Sequence, residues 1–106
     1  TIMQSGIDVK ILILNNQFLG MVRQWQELFN ERRYSFVDIT SPDFVAVAKG
    51  YYISGHKVSE RKDLVSSLKT MLDHKGSYLL EVMVTKENNV FPMVPQGCSV
   101  SEIRLK

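Results

Sequence analysis

Two adjacent asparagines, Asn15 and Asn16, carry the clearest chemistry in this chain. They follow Val9-Lys10-Ile11-Leu12-Ile13-Leu14, a β-branched and leucine-rich run with the composition of a buried parallel strand. In open α/β sheets, ligands bind outside the carboxyl ends of the strands. An asparagine placed there offers a neutral amide oxygen, a hard donor suited to Mg²⁺ or Ca²⁺. Gly20, shortly downstream, lets the backbone approach a bound group closely. The alternative reading of an isolated Asn-Asn pair is a polar turn that closes a strand.

The other reactive side chains form no comparable pattern. His56 and His74 have no carboxylate or cysteine at ligand spacing, and His74 reads as a favourable charge at a helix C-terminus. Cys98 has no sequence-local partner and falls in what reads as a flexible tail. Ser41 and Ser59 read as helix caps. Met21 and Trp25 lie one helical turn apart and share a face, which on spacing alone reads as core packing.

The elements that must position these residues follow from periodicity and punctuation. Thr1 to Gly6 reads as the end of a helix stopped by Gly6. A strand over Val9–Leu14 leads through the loop Asn15–Leu19 into a helix over Gly20–Arg32. Met21, Val22, Trp25, Leu28 and Phe29 form its apolar face, and Arg23, Gln26, Glu27 and Asn30 its polar one, with Arg23 set to pair with Glu27 and Glu31. Ser41-Pro42-Asp43 starts a helix that carries Phe44, Val45, Val47 and Ala48 and ends near Gly50. Tyr51–Val58 reads as a short strand, with Tyr52-Ile53 at its start. Glu60–His74 reads as a helix stopped by Lys75-Gly76, and Tyr78–Val84 as a second buried strand. Thr85–Asn89 is a polar loop, and a tail with Pro92 and Pro95 follows. Strands alternating with helices predict an α/β fold, a parallel sheet with right-handed crossover helices.

Asn15-Asn16, Gly20-Met21-Val22 and Gln24-Trp25 together resemble the second half of the thiamine-diphosphate motif of acetolactate synthases, also called acetohydroxyacid synthases, in the large catalytic subunit. The likeness continues through Leu28-Phe29, Pro42-Asp43-Phe44, Lys75-Gly76, Leu79-Leu80-Glu81-Val82 and Phe91-Pro92-Met93-Val94-Pro95, so it covers nearly the whole chain. It implies a partial thiamine-diphosphate-binding domain, Rossmann-like and three-layered. Residues 1–106 would be its C-terminal part: an αβααβαβ body over 1–95 and a C-terminal tail over 96–106. The family's upstream Gly-Asp-Gly is absent from the 106 residues, and the chain begins with Thr1. The expectation is therefore an excised fragment of a much larger enzyme, inactive alone.

The resemblance also assigns roles. Asn16 would give its side-chain oxygen to Mg²⁺, and Phe18 its backbone carbonyl. Leu19, Gly20 and Met21 would meet the cofactor through backbone N–H groups at a helix start. Asn15 would hold the loop in shape. Met21 would border the reacting end of the cofactor, and Trp25 and Gln96 would line the substrate channel with it. The family carries a small residue followed by Gly-Gly where this chain has Gln96-Gly97-Cys98. The implied parent decarboxylates pyruvate and joins the remainder to a second 2-ketoacid in branched-chain amino-acid synthesis. It also carries FAD on another domain, not on this segment. Its implied partners are the rest of the catalytic subunit, a second copy, and a small regulatory subunit.

Composition narrows the classes. At 106 residues the chain makes one domain at most. Thirteen basic against eleven acidic residues leave +2, with no basic stripe of the kind nucleic acid needs. No apolar run approaches the ~20 residues that span a bilayer. The single cysteine excludes an internal disulfide and suits a reducing compartment, the cytoplasm. Two other readings compete. One keeps the fold but changes the reaction, to a pyruvate oxidase or a 2-ketoacid decarboxylase. The other is a non-enzymatic α/β interaction module whose Asn-Asn turn is structural.

Overall fold

A computed structural model describes residues 1–106. The backbone divides into two compact units, one of residues 1–17 and 40–85, the other of residues 18–39 and 86–106. The first holds α1 (Ile2–Ser5), β1 (Lys10–Asn15), α3 (Phe44–Gly50), β2 (Ser54–Val58), α4 (Leu64–Asp73) and β3 (Tyr78–Met83); the second holds α2 (Gly20–Phe29). The element order along the chain is the one its periodicity implied.

The sheet is parallel, with order β1-β3-β2. Lys10 and Ser54 both stand beside Tyr78, Ile13 and Lys57 beside Glu81, and Asn15 beside Met83. The three carboxyl ends are therefore level. The path from β1 to β2 steps over β3, and the path from β2 to β3 steps back. Crossovers of one hand that run in opposite directions place their helices on opposite faces. That is the arrangement found. Met71, with Leu64 and Leu68 of α4, packs on Tyr78, Leu80, Val82 and Val58. Ile2 of α1 and Phe44, Val45 and Ala48 of α3 pack with Ile53 on Leu79, Ile11 and Ile13. Gly55 permits the close approach of α3: a Cβ there would meet Val45 Cγ1 at 3.7 Å and Leu79 O at 3.1 Å.

Only the central strand is the buried strand expected. β1 is an edge strand, and on the α4 side its Leu12 and Leu14 remain 48% and 65% exposed. Nothing in α4 reaches across β3 to cover them. Two boundaries also move. β2 starts at Ser54 because Tyr52 adopts a left-handed φ of 58° and the N–H groups of Tyr51 and Tyr52 close the end of α3 on Ala48 and Lys49. α4 begins at Leu64 after a 3-10 turn over Arg61–Asp63, with no side-chain cap from Ser59. The start of α3 is capped by Asp43, whose Oδ1 accepts from the N–H of Ala46 at 2.9 Å. Ser41 is not that cap. Gly6 ends α1 in the left-handed conformation, as expected.

The second unit departs further from the sequence reading. α2 stops at Phe29 rather than Arg32. Glu31 and Arg32 take left-handed φ values of 54° and 60°, and Arg32 N–H turns back to Gln26 O. The buried residues of α2 are polar: Arg23 and Gln24 are 3% and 2% exposed, while Met21, Val22 and Phe29 are exposed. Residues 30–39 fold back beside the helix. Gln26 exchanges hydrogen bonds with the backbone of Ser35, and Leu19 N–H donates to Val37 O. The segment read as a flexible tail is ordered. Met93 and Arg104 exchange backbone hydrogen bonds, and Ser99 with Glu102 forms a capping box on a 3-10 turn.

Leu80 has no exposed surface. Leu80→Ala should lower stability by about 2–5 kcal/mol, whereas Leu12→Ala on the same face of the edge strand should cost less than about 1.5 kcal/mol. Urea unfolding of the two variants checks the contrast.

Candidate functional site

A polar cluster gathers toward the carboxyl ends of the three strands. Asn15, buried at the end of β1, donates from Nδ2 to Glu81 Oε1 at 2.7 Å. Its Oδ1 accepts from Gln17 N–H at 2.9 Å and from Ser41 Oγ at 3.3 Å. The first of these is an Asx turn, which holds Gln17 at a left-handed φ of 59°. Lys57 Nζ lies 3.4 Å from Glu81 Oε1. Asn15 therefore holds the loop in shape, as its place in the motif implied. Asn16 follows it directly, half-buried at the head of the loop.

Several members of this cluster escaped the sequence reading, Lys57 and Gln17 among them. Ser41 looked like a helix cap but faces Asn15. Glu81 was one letter in an apolar run. The signal that marks it is the acid itself, flanked by Leu79-Leu80 and Val82-Met83-Val84 in a strand buried on both faces.

In the second unit, α2 begins at Gly20 with Leu19 as its N-cap. No side chain caps this end, and no acidic residue occupies the first turn. The first N–H groups of a helix lack intrahelical partners, and the dipole favours an anion there. Leu19, Gly20 and Met21 are all exposed at this end. A capping Asp or Ser would compete with a bound phosphate, and neither is present. Met21 is 55% exposed, so it is not a core residue. Trp25, one turn on, is half-buried against Phe29, with ring centroids 5.0 Å apart.

The buried face of α2 explains how the C-terminal segment is held. Gln24 Nε2 donates to Val90 O at 2.9 Å, and Gln24 Oε1 accepts from Val90 N–H at 2.8 Å. One side-chain amide thus replaces a strand neighbour for Val90. Arg23, expected on a solvated face, is buried because it is fully engaged. It reaches Glu27 at 3.0 Å, Tyr34 Oη at 3.1 Å and Glu87 at 3.6 Å. Glu87, not Glu31, is its second acid, and Arg32 also reaches Glu27, at 3.6 Å. Gln96 is exposed, beside the turn in which Cys98 N–H donates to Pro95 O.

Other candidates carry less. An apolar cleft of about 340 Å³, lined by Ile2, Phe44, Val47 and Tyr51 among others, holds no group that does chemistry. No three His, Cys, Asp and Glu side chains converge as a metal cage. The oxygen donors at the Asn-Asn loop are neutral, which suits a hard cation whose charge is balanced by a bound diphosphate.

A parallel strand that ends on an asparagine and, separately, a helix N-terminus without a side-chain cap are features that recur in proteins that bind a metal and a diphosphate. The chain belongs to a family of that kind: residues 1–82 match the model of the thiamine pyrophosphate enzyme C-terminal TPP-binding domain. Relatives that it resembles at 38–46% identity are named acetolactate synthases. It is 42% identical over 97% of its length to the acetolactate synthase isozyme 2 large subunit of Escherichia coli K12, of which it covers 19%. It is 46% identical over 93% of its length to the mitochondrial acetolactate synthase catalytic subunit of Saccharomyces cerevisiae, of which it covers 14%. Among solved structures, a thiamine diphosphate-dependent 4-hydroxybenzoylformate decarboxylase of Rhodococcus jostii RHA1 superposes with a TM-score of 0.71 at 30% identity, over 81% of this chain and 16% of that one. The chain thus spans less than a fifth of the length of these relatives.

Gln24→Leu removes both hydrogen bonds to Val90 and leaves a backbone N–H and C=O without their partner. A loss of about 1–3 kcal/mol is expected. Limited proteolysis should then cut first within residues 86–96, where the parent sequence resists.

Proposed function

We propose that this chain is the C-terminal, cofactor-holding part of an acetolactate synthase catalytic subunit. Such an enzyme would decarboxylate pyruvate and join the two-carbon remainder to a second 2-ketoacid, in branched-chain amino-acid synthesis. The observation that carries the reading is the open N-terminus of α2, just after Asn15-Asn16, in a chain so similar to these synthases along nearly all its length.

In this proposal Asn16 gives its amide oxygen, and Phe18 its backbone carbonyl, to a Mg²⁺ that neutralises the diphosphate. The backbone N–H groups of Gly20 and Met21 donate to the phosphate oxygens; Leu19, expected to join them, already gives its N–H to Val37 O. Bound thiamine diphosphate supplies the electron sink for decarboxylation, and the protein supplies orientation and exclusion of water. Met21 shields the reacting end of the cofactor. Trp25 and Gln96 border the channel for the second 2-ketoacid, Trp25 as a rigid wall stiffened by Phe29.

The same proposal extends to the whole polypeptide. FAD would lie on another domain, a second copy would complete the site, and a small regulatory subunit would bind the assembly. A cytoplasmic setting is proposed for this chain, although two yeast relatives are named as mitochondrial. Cell fractionation distinguishes the two addresses.

The test is product analysis of the intact polypeptide that carries this chain, given pyruvate, Mg²⁺ and thiamine diphosphate. Acetolactate supports the proposal. Acetaldehyde or acetyl phosphate would assign the fold to a decarboxylase or an oxidase, and no turnover with no cofactor binding would leave an interaction module. Asn16→Ala should raise the Mg²⁺ concentration for half-maximal activity about 10–100-fold. Trp25→Leu should change the preference between pyruvate and 2-ketobutyrate as second substrate by about 10-fold or more while sparing cofactor affinity. Competition assays with both ketoacids read that ratio.

A further inference from the structure

Glu81 is the anomaly of the sheet. It stands in the middle of the central strand, between Leu80 and Val82, and is 1% exposed. Its Oε1 receives Asn15 Nδ2 and faces Lys57, while its Oε2 is buried and meets no hydrogen-bond donor of the protein. Lys57 is half exposed, so water screens much of that attraction. A buried carboxylate with one oxygen unsatisfied is a poor way to hold a sheet, because an apolar side chain of similar volume serves packing as well or better. The acid therefore answers to something other than packing.

Its one strong contact shows what. An asparagine amide can point either way, and only its hydrogen bonds decide. The Glu81 carboxylate accepts but cannot donate, so it draws Asn15 Nδ2 toward the sheet and turns Asn15 Oδ1 outward. There that oxygen accepts from Gln17 N–H and Ser41 Oγ. The bond to Gln17 spans Asn16 and sets the backbone on both sides of it.

We infer that Glu81 is a positioning residue: through the amide of Asn15 it sets the conformation of the Asn15–Gln17 loop and so the placement of Asn16. Glu81 touches neither metal nor cofactor in this account. It acts as the buried partner that orients a ligand-bearing loop, a role worth about 10–100-fold in metal affinity where such partners have been removed. The inference rests on the assignment of Asn16 as a metal ligand for its functional half; the loop half stands on the hydrogen bonds alone.

The experiment compares Glu81→Met, close in volume but apolar, with Glu81→Gln, in the intact polypeptide. Three readouts are taken: thermal unfolding, exchange of the Gln17 amide hydrogen without metal or cofactor, and the dissociation constant of Mg²⁺–thiamine diphosphate. Glu81→Met should keep or raise the unfolding temperature, speed Gln17 exchange at least about 10-fold, and weaken cofactor binding about 10–100-fold. Glu81→Gln, whose side-chain oxygen can still accept from Asn15, should restore slow exchange and most of the affinity. Unchanged Gln17 exchange in folded Glu81→Met overturns the inference. So does a Glu81→Met protein that fails to fold, since the acid would then serve the sheet. Slow exchange in the parent sequence that is lost in Glu81→Met, with no cofactor bound by either, keeps the loop anchor and removes the thiamine assignment instead.

Discussion

Strand β3 constrains everything around it. It is hydrogen-bonded on both edges and covered on both faces, so its side chains have no route to water. Five of its six positions answer with apolar groups. The sixth is Glu81, and a charge in that place must be matched or the fold loses stability. Removing a partner from a buried charge costs about 3–5 kcal/mol. Asn15 is the close partner, at 2.7 Å. The match joins the most buried strand to the loop with the most chemical potential, so the rigidity of the sheet passes to a loop that would otherwise be free to reshape. Functional constellations hold their geometry best when their supports belong to such rigid elements.

The second unit uses the same logic in a helix. α2 turns Arg23 and Gln24 inward and leaves Met21, Val22 and Phe29 toward solvent. Burying a polar group is tolerable only when its hydrogen bonds are met. Both are met. Gln24 satisfies the donor and acceptor of Val90, and Arg23 spreads its charge over Glu27, Tyr34 and Glu87. The segment beyond Lys86 is thereby ordered by a few directed contacts rather than by a large apolar core. The outward apolar residues include Met21, with Trp25 half covered beside it, the two positions that the proposed function places against cofactor and substrate.

Most of the architecture was legible from spacing and punctuation. Alternating strands and helices implied a parallel α/β sheet, Gly6 and Gly50 marked helix ends, and the apolar run from Tyr78 marked a buried strand. What stayed hidden has specific physical causes. Periodicity tells which α2 residues share a face, not which face is turned inward, so Arg23 was assigned to solvent. Glu31, Arg32 and Tyr52 end or redirect elements in a left-handed conformation without glycine, and leave no composition signal. Ser41 has the letter of a cap and the position of a cap, but its hydroxyl serves Asn15, a contact between residues 26 apart that no local rule anticipates. The Asn15–Glu81 bond spans 66 residues. The Asn-Asn pair stood out in the sequence; the acid bonded to Asn15 did not.

The central proposal is that Asn16 gives its amide oxygen to the metal of a bound metal–diphosphate group. A crystal structure of the intact polypeptide with Mg²⁺ and thiamine diphosphate tests it most directly. The account expects Asn16 Oδ1 at about 2.0–2.1 Å from the metal, with the backbone N–H groups of Gly20 and Met21 facing the diphosphate. A metal that takes no oxygen from this loop, or a diphosphate bound away from α2, would contradict it.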